Sequence, residues 1–133
     1  MRRFGRVVNC DLSRAQLMEY ITSGSWGGET VKATLIRKAR SYIRDGVFIE
    51  MLIWRLPVPV RGSRHFYKYS LALVAEEECI LRYDNEAGKG DHRHLGNIQA
   101  PYAFKSMDVL IADFHAAVKG WLDDNPDSEN RDA

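Results

Sequence analysis

Alternating apolar and polar side chains dominate the middle of the chain and predict strands in series. Val47-Phe48-Ile49-Glu50-Met51-Leu52-Ile53-Trp54-Arg55-Leu56 is rich in strand formers and too apolar to be exposed on both faces. Arg44-Asp45-Gly46 ahead of it is a hairpin signal. That turn decides residues 31–44 in favour of a strand, although Leu35, Ile36, Ala39 and Ile43 would also line a helix. Pro57-Val58-Pro59-Val60-Arg61-Gly62-Ser63 interrupts the pattern as a loop. A third strand follows from His65 to Val74, with Tyr67, Tyr69, Leu71 and Leu73 on one face, then an acidic turn at Glu76-Glu77-Glu78 and a fourth strand from Cys79 to Tyr83. Beyond Pro101 the period changes. Met107, Leu110, Ile111, Phe114, Ala117, Val118 and Trp121 recur at helical spacing, with Ser106 as N-cap and Asp108 near the positive end of the helix dipole. That stripe is expected to lie on the sheet, and His115, on the opposite side, to be solvated. The fold class is therefore α+β: an antiparallel β-meander of about four strands packed by a C-terminal amphipathic helix, with a short N-terminal helical extension capped by Asp11.

A chain of 133 residues, 45% hydrophobic, has room for one domain with a real core. Its expected limits are residues 31–122. Residues 1–30 read as an extension ending in the glycine-rich link Thr22-Ser23-Gly24-Ser25-Trp26-Gly27-Gly28, and residues 123–133 as an acidic tail expected to be disordered. No apolar run is long enough to span a bilayer, and nothing behind Met1-Arg2-Arg3-Phe4-Gly5-Arg6 resembles a secretory signal. The expectation is a cytoplasmic protein without a membrane partner. Cys10 and Cys79 lack metal-type or redox-type spacing and are expected to be reduced. The net charge of +1 hides an asymmetry: residues 1–105 hold 17 Lys or Arg against 11 Asp or Glu, and residues 106–133 hold 2 against 7. A basic body suits phosphate-bearing ligands, although charges spread over a solvated surface explain the excess equally well.

The chemistry concentrates in residues 82–96, read as a glycine-rich loop that holds two of the four histidines. In an extended segment residues two apart share a side, so His92 and His94 can face one ligand while Arg93 faces away. Three readings compete. In the first, one histidine deprotonates a ribose 2′-hydroxyl and another group protonates the leaving oxygen, while Lys89, Arg82 or Arg93 neutralises the phosphorane. In the second, His92, His94 and a carboxylate from Asp84 or Asp91 hold a divalent metal. In the third, Asp84 and Asn85 cap a turn and the histidines merely pack. Arg82 and Asp84 share a strand face, where an ion pair or the orientation of a histidine is expected. A second basic group, Arg61, Arg64, His65 and Lys68, flanks the Pro-Val-Pro loop. Together with Tyr67 and Tyr69 it has the mix of cations and aromatics that single-stranded nucleic acids favour.

The segments Trp54-Arg55-Leu56-Pro57, Gly62-Ser63-Arg64-His65-Phe66-Tyr67-Lys68-Tyr69, the whole of residues 81–96, and Pro101-Tyr102 carry a resemblance to the TumE-like toxins of bacterial and archaeal type II toxin–antitoxin modules. It covers roughly residues 33–122. Tyr-Asp-Asn followed by His-x-His is its specific part. The resemblance implies a small toxin encoded beside a helix-turn-helix antitoxin, with activity against RNA. It points to Tyr83, Asp84, Asn85, Asp91, His92 and His94, with Lys89 as an auxiliary.

Taken together, the expectation is a metal-independent endoribonuclease toxin needing no cofactor. His92 or His94 is its base, the other or His65 its acid, Asp84 orients an imidazole, and Lys89 or Arg64 stabilises the phosphorane. Tyr83, Asn85, Asp91, Arg82, Arg64, Lys68 and Arg93 are expected around the substrate. The alternatives are a non-catalytic module that binds nucleic acid or protein, and a metal-dependent nuclease with the ion at His92 and His94. A free sheet edge also leaves a homodimer open.

Overall fold

The computed structural model describes residues 33–127. The chain divides into two compact units, one running to Tyr102 and the other starting at Ala103. The helix and link expected in residues 1–30 lie outside the described residues.

Among the described residues the sheet has six strands, not four: β1 Thr34–Arg44, β2 Val47–Arg55, β3 Tyr67–Ala75, β4 Glu78–Glu86, β5 Gly90–Leu95 and β6 Ile98–Pro101. They pair in chain order, each antiparallel to the next. The two additional strands fall where a loop was expected. β5 is short and polar, and β6 has only four residues and ends on a proline that only an edge strand tolerates, so neither carries a clear strand signal. Tight turns hold the order. Gly46 has φ +77° after Arg44-Asp45, and Glu76 and Glu77 both adopt left-handed backbone, the geometry that matches the twist of a two-residue hairpin.

Directly opposed residues of an antiparallel pair share a face. The register therefore sorts the side chains into two sets. Met51, Ile53, Tyr69, Leu71, Leu73, Leu81 and Tyr83 line one face, all nearly inaccessible to solvent. The other face carries Trp54, Leu52, Lys68, Ser70, Ala72, Arg82, Asp84, His92 and His94. β3, hydrogen-bonded to a neighbour on each side, is buried along almost its whole length. One face is thus a core, and the other holds polar chemistry on a rigid central hairpin.

The loop between β2 and β3 is pinned to the β4–β5 hairpin by glycine. Gly88 N–H donates to the Arg61 carbonyl at 2.8 Å. Gly62 and Gly90, at φ +98° and +75°, pass so closely that a Cβ on Gly90 would sit 2.8 Å from the Gly62 carbonyl oxygen. We expect Gly90→Ala to cost about 1–3 kcal/mol, from backbone strain plus the clash. A chemical-denaturation midpoint equal to that of the parent protein would contradict this.

The second unit holds α1, Met107–Asp124, which runs slightly past the end expected for it. Ser106 is its N-cap, as expected: the Ser106 hydroxyl accepts from Val109 N–H at 3.1 Å, and Asp108 sits in the first turn. Leu110, Phe114 and Val118 of the apolar stripe are buried, and His115 is exposed. Among the described residues no helix is long and apolar enough to cross a membrane. Cys79 is disulfide-bonded, which overturns the expectation that it is reduced.

Candidate functional site

The segment read as a loop is a regular hairpin. Asp84 lies opposite His92 and Arg82 opposite His94, so all four side chains share one face. Ala87-Gly88-Lys89 turns the chain, with Gly88 at φ +82° and Lys89 N–H donating to the Glu86 carbonyl at 3.0 Å. The expectation that His92 and His94 point together while Arg93 faces away is met. Their rings meet edge to face with centroids 4.7 Å apart.

One carboxylate organises the cluster. Asp84 Oδ1 lies 2.8 Å from His92 Nε2 and 3.7 Å from His94 Nε2, and Asp84 Oδ2 lies 3.0 Å from Arg82 Nε. Arg82 Nη2 is 3.2 Å from His94 Nε2. A guanidinium only donates, so His94 Nε2 must offer its lone pair there. His92 Nδ1 lies 3.0 Å from the Gly90 carbonyl, which only accepts, so Nδ1 carries the proton and a neutral His92 presents a lone pair at Nε2. His92 is almost fully buried, whereas His94 keeps 23% of its side chain exposed. Burial and then the Arg82 charge hold the His94 pKa below its ordinary value, against the pull of Asp84. Lys68 is buried on the same face and its ammonium donates to the Asn85 carbonyl. Desolvation lowers the Lys68 pKa, and Asp84 opposes that shift. Asp84, His92 and His94 can hold a metal ion: their ligand atoms lie within 4.8 Å of one another.

A second polar cluster occupies the opposite face. Asp91 precedes His92 in β5 and so points the other way. Its Oδ2 accepts from Tyr69 Oη at 2.6 Å and lies 2.7 Å from His65 Nε2, while Ser63 Oγ donates to Oδ1 at 2.7 Å. Tyr67 N–H donates to His65 Nδ1, which leaves Nε2 as the donor to Asp91. Burial alone would raise the Asp91 pKa, but the hydrogen bonds from His65, Tyr69 and Ser63 outweigh it and hold the carboxyl below its ordinary value. A depressed carboxyl pKa contributes stability that is present above the unfolded value and lost as pH falls through the folded one. We therefore expect Asp91→Ala to lower stability by about 2–4 kcal/mol at neutral pH. The gap from the parent protein should narrow as pH falls below the ordinary carboxyl range, and urea unfolding at several pH values measures both effects. A gap that widens with acid would contradict the assignment.

The family model described as Toxin TumE matches residues 28–122. The chain belongs to the TumE toxin family. Membership makes it a toxin of a toxin–antitoxin module, with an antitoxin as partner. No curated protein and no solved structure gives a significant match. The TumE match spans the whole described sheet and most of α1, and so contains both polar clusters.

Within this TumE domain the expected site residues separate. His92, His94, Asp84 and Arg82 come together, with Lys68 on the same face. His65 does not join them, because the register puts it with Asp91 on the core side, so a His65 partnership with His92 or His94 is replaced by the bond to Asp91. Tyr83 is a core residue that meets the Tyr102 ring edge-on at 5.1 Å. Asn85 is fully buried, and its amide is taken up by Tyr67, Tyr69 and Ser63. Lys89 is exposed and paired with Glu86 at 3.2 Å, and Arg64 and Arg93 are exposed. Ser63 and Tyr69 were not foreseen as partners of Asp91. The available signal was alternation, which puts Tyr69 and Asp91 on core-facing positions of their strands.

Proposed function

We propose that this toxin is an endoribonuclease, that the Arg82–Asp84–His92–His94 cluster is its reacting centre, and that its partner is a helix-turn-helix antitoxin. The observation that carries the reading is a part-exposed imidazole whose Nε2 is an acceptor toward a neighbouring guanidinium, on the polar face of the β4–β5 hairpin. As Arg82 turns from His94 to the phosphate, His94 Nε2 takes the proton of a ribose 2′-hydroxyl, and O2′ displaces the 5′-oxygen through a phosphorane whose charge Arg82 neutralises. The 5′-oxygen then takes up a proton from solvent, giving a 2′,3′-cyclic phosphate and a 5′-hydroxyl end. Asp84 and the buried His92 position the two groups that react.

Incubating the purified protein with total RNA, with and without chelator, tests this. The expected result is cleavage that survives the chelator and leaves cyclic-phosphate ends. Absence of any product, with or without added divalent ion, would overturn it in favour of a non-catalytic module that binds nucleic acid or protein.

A further inference from the structure

The hairpin brings one carboxylate oxygen and two ring nitrogens together. The Gly90 carbonyl takes the Nδ1 proton of His92, which leaves Nε2 as the ring atom that faces Asp84 Oδ1 at 2.8 Å. That oxygen is buried and has no aligned hydrogen-bond donor. His94 Nε2 stands 3.7 Å from the same oxygen. A buried carboxylate oxygen flanked by two imidazole nitrogens is a donor set for a cation.

We infer that Asp84 Oδ1, His92 Nε2 and His94 Nε2 form a binding site for a divalent first-row transition cation. Two imidazoles and one carboxylate suit zinc, cobalt or iron rather than magnesium or calcium, which take oxygen ligands. Metal–nitrogen and metal–oxygen bonds of about 2.1 Å place ligand atoms about 3.4 Å apart in a tetrahedral set. The three atoms already lie within 4.8 Å of one another, so small ring rotations complete the coordination. The Gly90 carbonyl holding His92 Nδ1–H is the kind of outer contact that fixes a metal-ligating histidine in its tautomer. Among the described residues three protein atoms converge, and open positions remain for water or a phosphate oxygen.

Arg82 opposes the cation. Its guanidinium lies against the outer oxygen of Asp84 and against His94 Nε2, so it must withdraw from His94 when the ion enters. The inference uses the site of the proposed cleavage reaction and adds regulation to it. A bound cation occupies the lone pair that His94 lends to that reaction, so metal loading suppresses chelator-resistant cleavage.

Titration of the full-length, metal-stripped protein with Co²⁺, followed by visible absorption, and with Zn²⁺, followed by calorimetry, tests the site without RNA. One ion is expected per chain. Affinity is expected to fall at least about 100-fold in Asp84→Asn and in His94→Gln. It should rise in Arg82→Gln and stay unchanged in His115→Gln, with circular dichroism reporting that each variant is folded. A parent protein that binds neither ion, or folded Asp84→Asn and His94→Gln variants that bind as it does, would overturn the site. Metal binding without RNA cleavage would instead overturn the proposed function and leave the site standing. Stimulation of cleavage by the ion would overturn the suppression and the role of His94 as base.

Discussion

The His94→Gln variant is expected to cleave RNA at least about 100-fold more slowly than the parent protein, with unfolding almost unchanged. A positioned general base contributes about 10²–10⁴ to rate, and glutamine keeps the length and polarity of the side chain without a group that takes up a proton near neutral pH. The structural cost is small because His94 is part-exposed and its closest polar contacts are Arg82 and Asp84. Surface replacements of this kind shift stability within about 0.5 kcal/mol. The loss should fall on kcat, since the proton moves only in the transition state. His92→Gln acts differently. Its ring is buried between Asp84 and the Gly90 carbonyl, so its removal disturbs the position of Asp84 and hence of Arg82. The double variant should be no slower than about the slower single one, because groups that act as one unit are not additive. Growth inhibition by expressed protein should fall in parallel. Full cleavage by a folded His94→Gln protein would remove His94 from the chemistry.

Much of the Arg82–Asp84–His92–His94 cluster could be read from the sequence because it depends on a period of two. Once residues 82–84 and 92–94 are extended, alternation alone puts Arg82 with Asp84 and His92 with His94, and a hairpin brings the pairs together. Only the last step, the register that sets Asp84 opposite His92, required the structure. The strand holding the histidines was missed because its residues are polar and glycine-flanked. Its pairing is imposed by β4 and by the turn at Gly88, not by apolar content. His65 shows a different limit. Its placement on the face of the tyrosines was read correctly, but nothing in the sequence said that Asp91 would meet it there and that His92 would be turned away. Lys68 and Asn85 show a third. A lysine beside a basic loop and an asparagine beside an aspartate expected to orient a histidine both suggest ligand contact, and both are buried and bonded to the backbone. Burial of polar side chains depends on which elements cover them, and sequence spacing does not encode that cover.

The buried position of Asn85 leads to the largest expected effect on stability. Its Oδ1 accepts from Tyr69 N–H at 3.0 Å, and its Nδ2 donates to the Tyr67 carbonyl at 2.7 Å and to Ser63 Oγ at 3.3 Å. These bonds join β3 to β4 beyond the point where the ladder's paired residues end at Ser70 and Asp84. Asn85→Leu keeps a similar volume and removes all three. Losing the partner of a buried polar group costs about 1–3 kcal/mol each, so the variant should lose about 3–5 kcal/mol. Total stabilities of about 5–15 kcal/mol leave such a protein largely unfolded or close to it at growth temperature. It should then lose growth inhibition through a shifted urea midpoint, the opposite signature to that of His94→Gln. Asp84 adjoins Asn85 on β4, and the Asn85 carbonyl anchors the Lys68 ammonium, so collapse at this position dismantles the polar face from behind. An Asn85→Leu protein with a normal urea midpoint but no cleavage would reverse the argument and put Asn85 among the groups that touch RNA.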